Sequence, residues 1–156
     1  MTTSDPARPA FPPGGMRMSE APVPADAPDD PNVTIIRAFI GALDEGDRDR
    51  ARRLLGEQVS WVVPGRSVVA GVHTGPDAVL DVDATMRRLS GGTLRHQVLI
   101  WLAAGPHAHA VTHQTATRDG VEAAFDRAFV FTIADGLIVD IHAYTDDLYA
   151  FDDFWR

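Results

Sequence analysis

The 156-residue sequence contains no cysteine. That excludes disulfides, thiolate nucleophiles, and zinc or iron–sulfur sites with cysteine ligands. Basic residues are also in deficit: 14 arginines, with no lysine, stand against 22 acidic residues, giving a net charge of −8. A basic face that neutralises phosphates is not to be expected, so neither nucleic acid nor an anionic membrane surface is a fitting partner. No apolar run approaches the roughly 20 residues of a membrane span. The N-terminus lacks a basic segment followed by an apolar stretch, so it does not read as a secretory signal. The expectation is a cytoplasmic protein with no nucleic-acid or membrane partner, and no motif calls for a cofactor.

What is present suits one domain with a real core: 45% of residues are hydrophobic. Residues 1–31 differ from the rest. They carry Pro6, Pro9, Pro12, Pro13, Pro22, Pro24, Pro28 and Pro31 with few apolar side chains. Such a segment cannot offset its ordering entropy and reads as a disordered tail. Met16 and Met18 offer internal starts.

From Asn32 onward, Val33, Ile36, Phe39, Ile40 and Leu43 recur at helical spacing. Asn32 is the expected cap and Gly46 the expected stop. Asp47 opens a short second helix, and Val59 to Val63 reads as a strand closed by Pro64-Gly65. Thr74-Gly75-Pro76-Asp77 has capping-box spacing with proline in the first turn, so it predicts a third helix. That helix has Val79, Val82, Met86 and Leu89 on its apolar face and stops at Gly91-Gly92. Four strands follow over 93–103, 107–118, 121–134 and 137–145. They are separated by the turn signals Gly105-Pro106, Asp119-Gly120 and Asp135-Gly136. A last helical turn packs back through Leu148, Phe151 and Trp155. Helices segregated from an antiparallel meander make an α+β domain over 32–156. A curved antiparallel sheet wrapped around N-terminal helices gives a cone-shaped fold enclosing a small-molecule pocket.

Four short stretches resemble one family, the SnoaL-like, nuclear transport factor 2-like proteins that include the ketosteroid isomerases. They are Ala42-Leu43 through Glu45-Gly46-Asp47, Ala70-Gly71-Val72-His73-Thr74-Gly75 up to Val79, Asp135-Gly136-Leu137-Ile138-Val139, and Asp147 through Asp152 to Phe154-Trp155. The resemblance covers about residues 32–156. It implies the cone fold, a homodimer through the convex face of the sheet, and an isomerase, cyclase, hydrolase or plain binder as occupant of the fold.

The family's chemistries fit the chain poorly at their usual positions. Ketosteroid isomerases use a carboxylate base and an oxyanion hole made of a tyrosine and a protonated aspartic acid. Here the tyrosine falls on Phe39, the base on Val63 and the second oxyanion group near Asp126-Arg127. The Asp-Arg-Asp arrangement of the fold's epoxide hydrolases falls on Ala116, Gln114 and Ala143. The pocket that the resemblance implies, extended by strand parity, is mostly apolar: Phe39, Trp61, Val63, Phe129, Phe131, Ile141 and Ala143. Its polar points are Thr112, Gln114, Arg127, His96 and His73. This set suits a hydrophobic, oxygen-bearing molecule such as a polyketide or terpenoid. His96 or His73 would be the acid–base candidate, with Arg127 and Gln114 orienting an oxygen. Each has a structural alternative. Arg127 could pair with Asp126 or Glu122 at the sheet edge, and either histidine could be a satisfied core residue. Asp147 and Asp152 read as capping and solvating the last turn.

Three function classes follow: proton-transfer chemistry (isomerisation, cyclisation or dehydration), a non-catalytic binding module, and a hydrolase of epoxide-hydrolase type using another acid such as Asp126. His107, His109 and His113 share strand parity and could suggest a metal. The missing acidic ligand and the helical N-terminal half argue against it, and no metal site is expected. A sedimentation mass of two chains is the expected outcome for the homodimer; a mass of one chain at working concentration would count against it.

Overall fold

The computed structural model describes residues 29–156. The expected tail therefore lies, except for its last three residues, outside the described residues. The first helix, α1 (Pro31–Glu45), starts two residues earlier than an Asn32 cap would place it. Its cap is Asp30, whose carboxylate accepts from the Asn32 backbone N–H at 2.8 Å, with Pro31 in the first turn. Asn32 does not cap. Its side chain donates to the Gly105 carbonyl at 3.0 Å instead, tying the helix start to a distant turn. Gly46, at φ 71°, ends the helix by donating to the Ala42 and Leu43 carbonyls. Asp47 caps α2 (Arg48–Arg53).

The first strand, β1 (Leu55–Val63), begins four residues before the predicted one. A strand that the sequence hid, β2 (Gly71–Thr74), pairs antiparallel with it, from Ser60 against Thr74 to Val63 against Gly71. Four residues are too few to show an alternation. This pairing also corrects the expected capping box: Thr74 is strand, and α3 (Pro76–Leu89) starts from Gly75 with no side-chain cap.

The meander follows as β3 (Arg95–Ala104), β4 (His107–Arg118), β5 (Val121–Ala134) and β6 (Leu137–Thr145). Both Asp-Gly turns have positive φ at each residue, 51° and 80° at Asp119-Gly120, 51° and 74° at Asp135-Gly136. This is the twist that two-residue hairpins require. The six strands form one sheet in the order β2-β1-β6-β5-β4-β3. The meander pairs antiparallel, and β1 joins β6 in parallel, Trp61 opposite Ile141. Alternate residues of β4 and β5 face inward. Ala108 and Ala110 lie opposite Phe131 and Phe129, small against large, so the concave face has room for α1. Val33, Ile36, Phe39 and Ile40 of α1 fill that face. The result is the expected α+β cone with an open curved sheet.

One end of the cone is closed by α4 (Leu148–Phe154), capped by Asp147, whose carboxylate accepts from the Ala150 N–H at 3.0 Å. Phe151 and Trp155 are fully buried, and Phe125 meets Phe151 edge-on with ring centres 5.2 Å apart. Asp152 does more than solvate the turn: its two oxygens accept from the Arg66 and Ser67 backbone N–H groups at 2.8 and 2.9 Å. This carboxylate clamp docks the loop between β1 and β2 onto the last helix. Gly65 in that loop has φ 100°, and a Cβ there would run into the Asp152 carboxylate.

Replacing Asp152 with Ala leaves two backbone donors without their acceptor and is expected to cost about 1–2 kcal/mol of unfolding free energy in urea titrations. Gly65→Ala should cost a comparable amount, through both strain and the lost clamp. Unchanged midpoints in both variants would show that the clamp contributes nothing.

Candidate functional site

A cavity lies between α1, α3 and the concave sheet face. Phe39, Ile40 and Leu43 of α1 form one wall, and Trp61, Phe129, Phe131 and Ile141 form the opposite one. Asp83 and Met86 of α3, His96 of β3, Thr112 and Gln114 of β4 and Arg127 of β5 complete the lining. Its free volume is only about 20 Å³, room for about one water molecule.

Polar side chains link into a directed chain along one side. Arg127 donates to the Gln114 amide oxygen at 3.5 Å, a long contact. The Gln114 amide nitrogen lies 2.7 Å from His96 Nε2, and His96 Nδ1 lies 2.9 Å from Asp44 Oδ1. With the Gln114 oxygen turned to Arg127, its NH2 donates to Nε2. The histidine proton then sits on Nδ1, facing Asp44. Arg87 completes the set, donating to Asp44 at 2.9 Å and to Asp83 Oδ2 at 2.6 Å.

The two carboxylates that share Arg87 have opposite fates. At Asp44 burial acts to raise the pKa, but the hydrogen bonds and charges of His96 and Arg87 outweigh it and hold the group below its ordinary 3.8. At Asp83 burial is again the largest influence, and here it prevails over the pull of Arg87 and His96, pushing the carboxyl up. Arg87 itself is raised: burial lowers it, and the two acids more than compensate. Arg87 thus gains from a pair that Asp83 does not fully profit from. The cause is unequal desolvation, since the Asp83 side chain is 6% exposed and that of Arg87 20%. Among the described residues, the buried Asp83 Oδ1 has no partner, and neither does the Trp61 indole N–H. Both residues line the cavity.

Arg127 is 2% exposed. Its guanidinium lies against the Phe129 and Phe151 rings, 4.8 and 4.5 Å from their centres, and Nε donates to Thr145 Oγ1 at 3.2 Å. Burial holds its pKa down to about 10, so it remains a cation at neutral pH. The edge-pairing alternative is overturned. Asp126 points to the other face, where it meets His113 Nδ1 at 2.7 Å, and the chain's hydrolase candidate leaves the cavity with it.

Of the predicted lining, Phe39, Trp61, Thr112, Gln114, Phe129, Phe131 and Ile141 stand on the wall, together with Arg127 and His96. Val63 and Ala143 share the inner face and are buried, but they pack in the core beyond the cavity. His73 is a correction: it sits on the edge strand β2, its Nε2 2.8 Å from the Val69 carbonyl, away from the cavity. His96 is reached, but both ring nitrogens are engaged, so it positions its neighbours rather than offering a free base. His107 lies 3.3 Å from Thr132 Oγ1, and among the described residues no three metal-ligating side chains converge.

Asp83 and its partners Asp44 and Arg87 were missed by the sequence reading. The signal was present: position 83 lies four residues after Val79 and three before Met86, a lone carboxylate on the apolar stripe of α3.

The family model of the SnoaL-like domain matches residues 36–141. Among solved structures, Bal32a, from a soil-derived mobile gene cassette, is 31% identical. The match covers 81% of this chain and 97% of that one, with a TM-score of 0.78. A protein with a cystatin-like fold from Xanthomonas campestris is 25% identical over 79% and 96% of the two chains, TM-score 0.71. An NTF2-like protein from Burkholderia xenovorans LB400, 21% identical over 78% and 95%, TM-score 0.66, shares the fold. No curated protein matches the chain in sequence. Among the described residues, no helix is long and apolar enough to cross a membrane.

The opposite shifts of Asp83 and Asp44 predict opposite pH dependences of stability. A raised carboxyl favours folding while protonated, and that contribution is lost as pH rises through its folded value. A lowered one contributes above 3.8 and loses its contribution as pH falls through its folded value. Asp83→Asn is therefore expected to melt at or above the wild-type temperature at neutral pH, the difference closing towards about pH 4. Asp44→Asn should melt lower at neutral pH and converge with wild type in acid. Parallel melting curves across the range for both variants would contradict this assignment.

Proposed function

The chain belongs to the SnoaL-like domain family, and from that premise we propose that its cavity is a proton-transfer site for a small, hydrophobic, oxygen-bearing molecule, with Asp83 as the base. One observation carries the reading: the buried, unpartnered Asp83 oxygen on the cavity wall. A carboxylate in an apolar wall with its pKa pushed up is a stronger base than one in water, and it sits where water does not compete. Arg87 holds the other oxygen and fixes the orientation.

The roles divide by geometry. Asp83 would take a proton from carbon, the Trp61 N–H would receive the oxygen on which charge develops, and Arg127 would hold a second oxygen of the substrate. Thr112, Gln114 and His96 would position Arg127 and the wall. Returning the proton to another carbon gives isomerisation; attack by the carbanion on a carbonyl gives cyclisation; loss of hydroxide gives dehydration. The first-choice base thereby moves from His96 or His73 to Asp83. With free volume this small, the flexible Met86 and Leu43 side chains must shift to admit a substrate. A homodimer would use the outer sheet face, where Val72, Leu102 and Tyr144 are exposed.

The same small volume favours a second reading, a binding module without chemistry. A general probe of carbon deprotonation separates the two. 5-Nitrobenzisoxazole loses one C–H proton to a base, its N–O bond opens, and a coloured cyanophenolate forms. The wild-type chain should accelerate this reaction, with a rate that rises with pH through a midpoint above 3.8. Asp83→Asn should slow it about 10²-fold or more. A folded Asp83→Asn variant as fast as wild type removes Asp83 from the role. Thermal stabilisation by the probe without turnover would favour the binding module.

A further inference from the structure

We infer that the molecule bound in this cavity is an organic anion whose carboxylate sits on Arg127. This rests on the cavity being a ligand site, as proposed above, but not on Asp83 acting as a base.

Arg127 is a buried cation that no carboxylate reaches among the described residues. Its only hydrogen bonds there are to Thr145 Oγ1 at 3.2 Å and to Gln114 Oε1 at 3.5 Å. A guanidinium has five N–H donors in a planar fork, so most of its capacity is unused. Asp44 is connected to it only through Gln114 and His96. The Phe129 and Phe151 rings both lie against the guanidinium. Such stacking offsets part of the desolvation cost but supplies no negative charge.

With two aromatic rings against it and only two side-chain partners, the guanidinium keeps free N–H donors, and Arg127 is on the cavity wall. A guanidinium fork matches a carboxylate bidentately, and a low-dielectric surround strengthens that pair. A neutral ketone would accept hydrogen bonds without balancing the charge. Much of the remaining wall is carbon, from Phe39, Phe131 and Ile141 among others, so the rest of the ligand is largely apolar. The Trp61 N–H, also unpartnered, is a further donor for an oxygen on that body.

The test compares probes that differ in charge: benzoate, methyl benzoate and benzyl alcohol, titrated calorimetrically into the full chain. Wild type should bind benzoate at least about tenfold more tightly than either neutral probe, a difference of about 1.4 kcal/mol. Arg127→Gln should abolish that preference while keeping a cooperative melt, and Arg127→Lys should retain part of it. If neither variant folds, the wild-type comparison decides alone. Equal binding of charged and neutral probes, unchanged benzoate affinity in Arg127→Gln, or no binding of any probe overturns the inference. Asp83→Asn separates the two proposals. Benzoate bound normally by a variant that still deprotonates the benzisoxazole sinks the Asp83 role alone. Equal affinity for acid and ester in an enzyme that needs Asp83 sinks the anion site alone.

Discussion

The pairing of β4 with β5 is the constraint on which the site depends. It runs from His107 opposite Thr132 to Arg118 opposite Val121 without a shift in register. Side chains alternate across a strand, so this ladder decides as one unit that Thr112, Gln114, Arg127, Phe129 and Phe131 face the cavity. A slip of β5 by one residue against β4 would bring Asp126 inside and send the guanidinium out. The Asp119-Gly120 turn fixes the register, because a two-residue hairpin with both φ values positive allows few alternatives.

Within that frame, the electrostatics turn on unequal burial. Arg87 serves two acids, and the more exposed one becomes a settled carboxylate while the deeper one is pushed towards its neutral form. Arg127 has no such acid among the described residues and relies on aromatic faces. The cavity therefore keeps an underused acid and an underused cation on its wall, a cost to stability that functional sites commonly carry.

Much of the fold was legible in the sequence. Long strands with Asp-Gly turns declare themselves, and so does an amphipathic α1 ended by Gly46. The family resemblance, extended by parity, put Thr112, Gln114, Arg127, Phe129 and Phe131 on one face, and the burial of β4 and β5 alternates in that sense. Less legible were features set by partners far along the chain. The β2 strand exists because β1 lies beside it, and Asp152 acquires its role from a loop more than eighty residues earlier. Asp83 was hidden for another reason: reading α3 for its apolar positions passes over a polar residue on the same face. His73 shows the converse, a residue that looks reactive in sequence and is spent on the Val69 carbonyl.

The parallel ladder between β1 and β6 has a consequence for how the domain assembles. Trp61 lies opposite Ile141, so this pairing must close a long loop, whereas β3 to β6 can form as successive hairpins from neighbouring segments. The meander is expected to form early and the β1 strand to dock late. Trp61, one wall of the cavity, arrives with that late step. A partly folded chain would then own Arg127 and Gln114 on an open sheet but no enclosed cavity, so ligand affinity reports completion of folding rather than formation of the sheet.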